Sequence, residues 1–175
     1  VPEELKGVLM PYQETGFAWL KYLASFRFGG LLADDMGLGK TLQAIAYILS
    51  EKTGSNETKS PILVVCPSSL VHNWQREVEK FAPVLRVQVI GGAPATRKKL
   101  MLNTEADIWI TSYPLMRMDH RQYEKMEFHT VFFDEAQAFK NPFTQTSRAV
   151  KKLRSQRIFA MTGTPIENTL EELWS

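Results

Sequence analysis

The residues best suited to chemistry lie at positions 34–41, which read Asp-Asp-Met-Gly-Leu-Gly-Lys-Thr. They follow the apolar run 30–33 and precede a helix-like stretch, a pattern of strand, glycine turn and helix start. Such a turn directs backbone N–H groups and the positive helix end at an anion. We expect Lys40 to reach the β- and γ-phosphates of a nucleotide and the Thr41 hydroxyl to ligate magnesium. The usual pattern begins with glycine where this chain has Asp34, so the partial match needs support from the rest of the sequence.

Two acidic residues elsewhere in the chain are suited to complete this site. Asp134 and Glu135 come directly after the buried-strand run 130–133. In an open parallel sheet, ligands bind at the carboxyl ends of the strands, beside the mouth of the glycine turn. Asp134 is expected to hold magnesium through water, and Glu135 to orient and deprotonate the attacking water, which with Lys40 makes the predicted catalytic set. The alternative is that both acids only cap the following helix.

A third strand-to-turn signal is the run 158–165, which ends in Thr-Gly-Thr-Pro. Its two threonines, Thr162 and Thr164, could sense whether a γ-phosphate is present. Taken alone, such a sequence is more often an ordinary turn.

Hydrophobic patterning predicts the elements that must hold these groups together. Apolar residues at helical spacing indicate a helix over 8–25, with Pro11 suited to a first turn, and an amphipathic helix over 70–81. The polar stretch 51–60 is interpreted as a surface loop. Strands that alternate with helices predict one α/β domain, whose mostly parallel central sheet has helices on both faces. Besides the strand before the glycine turn, short apolar or β-branched runs indicate strands at 62–66, 86–90, 107–111, 130–133 and 157–161.

Length and composition are those of a single ordinary globular domain. The chain has 175 residues, 44% of them hydrophobic, and a net charge of +2, so a surface for a polyanion must come from local clustering. Its single cysteine, Cys66, lies in an apolar run and is interpreted as a buried structural thiol in a reducing interior. No apolar run has membrane-spanning length and no leader-like segment is visible, which predicts an intracellular protein without a membrane partner.

These motifs, in this order, resemble the first motor lobe of the Swi/Snf-type ATPases, a branch of helicase superfamily two. The aspartate at position 34 is usual in motif I of that family, so the departure noted above fits it. Gln137 stands where many eukaryotic members have histidine, which favours a bacterial or archaeal source and hence a cytoplasmic rather than a nuclear protein. The matching segments are 9–13 (the leading glutamine motif), 34–41 (motif I), 64–74 (Ia), 110–113 (Ib), 134–137 (II) and 161–168 (III).

The resemblance implies a RecA-like P-loop lobe that binds ATP and Mg²⁺ and works with a second lobe of the same polypeptide, which supplies arginines for the transition state. The chain 1–175 is expected to be the N-terminal lobe alone, able to bind nucleotide but poor at hydrolysing it. Thr41 and Asp134 are implied on the metal. The residues implied on the nucleotide are Gln13, Asp35, Met36, Gly37, Leu38, Gly39, Lys40 and Thr41, and those implied in coupling are Gln137, Thr162, Gly163 and Thr164.

The same resemblance implies duplex DNA as a partner, with DNA-bound proteins as a further candidate class. Contacts to the DNA backbone are implied at Ser68, Ser69, Thr111 and Ser112, for which ordinary helix capping is the alternative. The basic cluster 97–99 could touch DNA, although such a run is more often a solvated helix face.

Two other functions remain open. A strand-separating helicase of the same superfamily is the nearest alternative to a duplex translocase. A nucleotide-binding interaction domain without turnover is the other, and the intact Lys40, Thr41, Asp134 and Glu135 argue against it.

Trp74 is interpreted as part of the core because it lies on the apolar stripe of its helix.

Overall fold

A computed structural model describes residues 1–25, 30–33, 39–53, 60–103, 105–136 and 145–162. Its helices are α1 (Pro11–Ser25), α2 (Lys40–Thr53), α3 (Val71–Phe81), α4 (Pro94–Leu100), α5 (Tyr113–Met118), α6 (His120–Glu124) and α7 (Gln145–Lys151). Its strands are β1 (Gly30–Ala33), β2 (Ile62–Cys66), β3 (Val87–Val89), β4 (Ile108–Ser112), β5 (Glu127–Phe133) and β6 (Arg154–Thr162). Two short 3-10 turns, Glu3–Leu5 and Ser68–Leu70, come before α1 and α3.

The described strands form one sheet in the order β1-β6-β5-β2-β4-β3, and every ladder is parallel. The predicted parallel α/β sheet is therefore confirmed. Its register pairs Ala33 with Thr162, and Cys66 with Ser112, at the ends of their strands. Phe133, the last residue of β5, pairs with Val65. Because all strands run the same way, these residues share one edge of the sheet, where parallel sheets bind ligands.

Apolar packing covers both faces of this sheet. β2 and β4 are buried along their whole length, as expected of parallel strands covered on both sides. Alternate residues of β2 point to opposite faces, so Val64 joins one apolar cluster and Leu63 the other. The first cluster includes Ile45 and Trp74, from α2 and α3, and the second includes Met116, from α5. No helix in the described ranges is both long and apolar enough to cross a membrane.

Most predicted boundaries agree with the structure, and the differences have physical causes. α1 begins at Pro11 and the strand predicted at 62–66 is β2. β5 and β6 begin earlier than their apolar runs, because Glu127 pairs in register with Arg154 and accepts a hydrogen bond from it at 3.1 Å. The prediction of a loop over 51–60 is wrong at its start, since α2 continues to Thr53; residues 54–59 lie outside the described ranges.

Candidate functional site

Gly39 and the start of α2 place a buried lysine at the edge of the sheet. Gly39 has φ +85, a backbone conformation that glycine adopts readily, and its carbonyl accepts a hydrogen bond from Gln43 N–H at 3.1 Å as α2 begins. Lys40 is the first residue of α2 and is only 5% exposed. Its Nζ has no hydrogen-bond partner among the described residues. A buried ammonium without a partner is costly, so this position is suited to an anionic ligand.

Gln13, the predicted adenine contact, lies directly against Gly39. Gln13 is 6% exposed, and its Oε1 accepts a hydrogen bond from Met10 N–H at 2.8 Å. A Cβ atom added at Gly39 would stand 1.8 Å from Gln13 Nε2, so glycine is needed there for space as well as for φ. The structure thus brings Gln13, Gly39 and Lys40 together. The predicted residues 35–38 lie outside the described ranges.

Asp134 reaches the same edge from the end of β5. Its Oδ2 accepts a hydrogen bond from Trp74 Nε1 at 2.8 Å, and its Oδ1 accepts one from Glu135 N–H at 2.9 Å. Burial raises the pKa of Asp134, while these two hydrogen bonds and the nearby Lys40 ammonium act to lower the same pKa. Lys40 and Asp134 are therefore close enough to interact electrostatically, as a shared phosphate–metal site requires.

Glu135 has an unusual backbone. Its φ is +49, in the left-handed region that residues other than glycine seldom occupy. Such strained residues concentrate at functional sites, where the surrounding structure holds them in place. Glu135 is also partly exposed at the edge of the sheet, next to the buried Asp134, which is the predicted metal ligand.

Of the remaining predicted nucleotide and coupling residues, two are described. Thr41 is partly exposed in the first turn of α2. Thr162 is fully buried at the end of β6, in register with the last residue of β1. Gln137, Gly163 and Thr164 lie outside the described residues, so their coupling roles stay predictions.

Beside the nucleotide residues, the ends of β2, β4 and β3 open into a cavity of about 530 Å³, which we call the strand-end groove. Ser68, in the 3-10 turn after β2, is exposed and lines the groove, and its neighbour Ser69 is exposed too. The lining residues include Ser68, Val71 and His72 on one side and Ser112, Pro114 and Leu115 on the other. Exposed hydroxyls at strand ends are suited to phosphate oxygens, as predicted for Ser68 and Ser69.

The other two predicted DNA contacts are placed differently. Thr111 is fully buried, and its hydroxyl donates a hydrogen bond to the Ile90 carbonyl at 3.2 Å, so it does not face the groove. The Ser112 hydroxyl accepts a hydrogen bond from Leu115 N–H at 3.4 Å and is the N-cap of α5. For Ser112 the structure therefore shows the capping alternative. For Thr111 the prediction needs correction, because a threonine inside a parallel sheet faces the core.

Arg97 takes neither role weighed for the basic cluster. It is 3% exposed, so it is neither a solvated residue nor a surface contact. Its Nε and Nη2 donate to the Asp119 carboxylate at 2.6 and 2.9 Å, and Nη1 donates to the Gly92 carbonyl at 2.7 Å. A planar guanidinium forms this two-pronged pair, which joins α4 to the α5–α6 corner.

Sequence reasoning placed Cys66 and Trp74 in the core, and both are 0% exposed. Burial, with a smaller effect of the Asp134 charge, raises the pKa of the Cys66 thiol to about 12, so it is an inert structural group. What the sequence did not indicate is that the buried Trp74 indole N–H bonds to Asp134. The Tyr113 hydroxyl also donates, at 2.6 Å, to the Asp134 main-chain carbonyl.

This arrangement, a parallel sheet with a buried lysine and acid at one edge, defines a P-loop nucleotide-binding lobe. Residues 12–175 match the SNF2-related domain family, and the chain therefore belongs to that family. The structure is similar to a Sulfolobus solfataricus SWI2/SNF2 ATPase core solved in complex with dsDNA, with a TM-score of 0.83 and 44% sequence identity over 95% of this chain and 34% of that one. The predicted RecA-like fold is thereby confirmed.

Several curated relatives match the whole chain, among them the following two. A Bacillus subtilis protein, YwqA, whose name describes an ATP-dependent helicase or translocase, is 44% identical over 100% of this chain and 19% of its own length. The TATA-binding protein-associated factor MOT1 of Saccharomyces cerevisiae is 39% identical over 100% of this chain and 10% of its length. The chain thus spans a minor part of the relatives that it matches.

Proposed function

We propose that this chain is the ATP-binding lobe of a DNA-dependent ATPase that moves along duplex DNA and uses Mg²⁺. One observation carries the proposal: the buried Lys40 ammonium has no hydrogen-bond partner among the described residues, and it lies near the Asp134 carboxylate. A triphosphate with its metal would supply the missing negative charge to Lys40 and the missing cation to Asp134.

The described residues fit such a ligand. Lys40 would bind the phosphates, and Thr41 and Asp134 would hold the Mg²⁺ ion, which when bound neutralises charge on the phosphate oxygens. Trp74 and Glu135 N–H keep the Asp134 carboxylate oriented. The Glu135 side chain would orient the attacking water and accept its proton. We assign the transition-state arginines to a second lobe of the same polypeptide.

The strand-end groove is the proposed DNA-binding surface. It lies on the same sheet edge as the nucleotide residues, and the exposed hydroxyls of Ser68 and Ser69 are suited to backbone phosphates. A solved structure 44% identical to this chain holds dsDNA, and the name of YwqA describes a helicase or translocase, which supports this assignment. DNA-bound proteins that such a motor would displace are a further class of partner.

The nucleotide half of the proposal is tested by titrating Mg·ATP into the wild-type chain and a Lys40→Ala variant. We expect the wild type to bind and the variant to lose at least about tenfold in affinity, because a charge-assisted contact is removed. Equal affinities would exclude the site. The chain 1–175 alone should hydrolyse ATP slowly, and brisk DNA-stimulated hydrolysis would contradict the assignment of a single lobe.

The DNA half is tested with the full-length protein by competition between labelled duplex and single-stranded DNA. We expect duplex to compete more strongly and binding to weaken steeply with salt, since phosphate contacts release counterions. A preference for single strands, with strand separation in the presence of ATP, would instead indicate the strand-separating helicase.

A further inference from the structure

Asp134 receives hydrogen bonds from two buried aromatic side chains with polar tips. Trp74 Nε1 donates to its carboxylate at 2.8 Å, and the Tyr113 hydroxyl donates to its main-chain carbonyl at 2.6 Å. Trp74 is 0% exposed and Tyr113 is 6% exposed. The two donors therefore hold both the side chain and the backbone of the proposed metal ligand.

These two aromatic residues come from the two sides of the strand-end groove. Trp74 lies one helical turn beyond Val71, the groove residue at which α3 begins. Tyr113 directly follows Ser112 and is the first residue of α5, whose Pro114 also lines the groove. Each wall of the groove is thus joined to Asp134 through a single side chain.

We propose that Trp74 and Tyr113 are positioning residues that transmit occupation of the strand-end groove by a nucleic-acid backbone to Asp134. The inference rests on the proposed function and concerns how its two sites communicate. Both side chains are buried rings, so a shift of the start of α3 or α5 carries the polar tip with it rather than being absorbed by rotamer changes. Backbone phosphates in the groove would then reorient the carboxylate that holds the metal.

The test compares Trp74→Phe and Tyr113→Phe with matched controls in the full-length protein. Trp109→Phe controls for the first, because Trp109 is 2% exposed and its Nε1 has no hydrogen-bond partner in the part of the chain that the structure describes. Tyr123→Phe controls for the second, since Tyr123 is buried in the same apolar cluster as Tyr113. The measured quantity is the ratio of ATP hydrolysis rates with and without saturating duplex.

We expect Trp74→Phe, which removes a hydrogen bond to a charged carboxylate, to lower this ratio by about tenfold. Tyr113→Phe removes a hydrogen bond to a neutral carbonyl and should lower it by about fivefold, whereas the controls should leave it within about twofold. Partial unfolding removes active molecules and lowers both rates by the same factor, so it does not change the ratio. Tyr113→Phe deletes one oxygen atom and keeps the ring. It therefore still tests the proposal if Trp74→Phe does not fold. Ratios equal to the wild type in both test variants would overturn the proposal.

A second readout is independent of hydrolysis. The protein is labelled with 5-fluorotryptophan, and the ¹⁹F signal of Trp74 is identified by its loss in Trp74→Phe. Duplex added without nucleotide should shift this signal and not that of Trp109; an unmoved Trp74 signal contradicts the proposal. If the wild type neither binds duplex nor shows stimulation, the proposed function fails as well, whereas stimulation that survives both substitutions refutes the coupling alone.

Discussion

The two edges of the central sheet both hold buried charges, but they satisfy them differently. At the amino edge, which we call the ion-network edge, Glu51, His129, Arg157 and Lys21 form a closed group. Glu51 accepts a hydrogen bond from Lys21, and its Oε2 lies 3.3 Å from His129 Nε2. Arg157 Nη1 lies 2.9 Å from the same ring nitrogen. Each charge there has a partner from the protein itself.

At the carboxyl edge, the nucleotide edge, Lys40 has no hydrogen-bond partner in the described ranges, and the pKa of Asp134 is raised by burial. α2 connects the two edges, since Lys40 is its first residue and Glu51 lies near its end. One helix thus begins with a lysine that has no hydrogen-bond partner among the described residues and ends with a glutamate that has several partners. The comparison teaches that the ion-network edge stabilises the fold, whereas the nucleotide edge is left for a ligand to complete.

The largest expected effect breaks the nucleotide edge. Lys40→Ala should lower DNA-stimulated ATP hydrolysis by about 10²–10³-fold, as for loss of a preorganised transition-state contact. The free energy of unfolding should stay the same or rise, because a buried, unpaired ammonium is removed. Hydrolysis assays and denaturant unfolding check the two halves.

The control for that substitution is Lys52→Ala, at the other end of α2. Lys52 is 7% exposed, and its Nζ donates to the Ser60 carbonyl at 2.8 Å. This variant should lower the free energy of unfolding and leave hydrolysis per folded molecule unchanged. The contrast between the edges is wrong if Lys40→Ala is the more destabilising of the two.

The next effect breaks the ion-network edge. Glu51→Gln should lower the free energy of unfolding by about 3 kcal/mol, because it leaves Lys21 and Arg157 without their counter-charge. Mg·ATP affinity should not change. Glu127→Gln is the control, since that side chain is 72% exposed and its ion pair should contribute less than about 1 kcal/mol. Equal losses in denaturant unfolding would refute a special role for Glu51.

The same edge should show a defined dependence on pH. The pKa of Glu51 is lowered from an ordinary 4.5 to about 2, mainly by the hydrogen bond with His129 and further by the Lys21 ammonium. Burial opposes part of this shift. The unfolded chain therefore takes up this proton first as the pH falls, and the stabilisation is lost between about pH 4.5 and 2. We expect the free energies of unfolding of the wild type and Glu51→Gln to differ by roughly 3 kcal/mol at pH 7, and this difference should shrink as the pH falls through that window. A difference in the free energy of unfolding that stays constant with pH would show that the charge of Glu51 does not cause it.

The smallest effect concerns packing at the nucleotide edge. Gly39→Ala adds a Cβ where Gln13 Nε2 stands, so the end of the Gln13 side chain must shift, which weakens its hydrogen bond from Met10 N–H. Gly7→Ala has the same strain, with φ +77, but nothing within 4 Å of the new atom. Gly7→Ala should cost about 1 kcal/mol of stability, and Gly39→Ala about 1 kcal/mol more together with weaker nucleotide binding. Equal results in unfolding and nucleotide titration would contradict a close fit of Gln13.

Sequence-based prediction succeeded for features that depend on neighbouring residues and failed for contacts between residues distant in sequence. The strand at 62–66 and the helix starting at Pro11 were predictable because periodicity and backbone preference are local. The burial of Thr111 could have been anticipated, since its strand is covered on both faces. The buried ion pair of Arg97 could not be predicted, because its partner Asp119 is distant in sequence. A buried arginine and an exposed one cannot be distinguished from a basic run before the chain is folded.

The sequence alone predicted the six strands in chain order, the helices α1 to α3, and the acid that follows β5, because each depends on neighbouring residues. Only the tertiary structure decided which charges are compensated. Glu51 and Lys40 are both charged residues of one helix, and whether each finds a partner depends on what β5 and β6 place beside it. The bonds of Trp74 and Tyr113 to Asp134 were decided in the same way, since a hydrogen bond needs two atoms within about 3 Å and sequence distance does not report that.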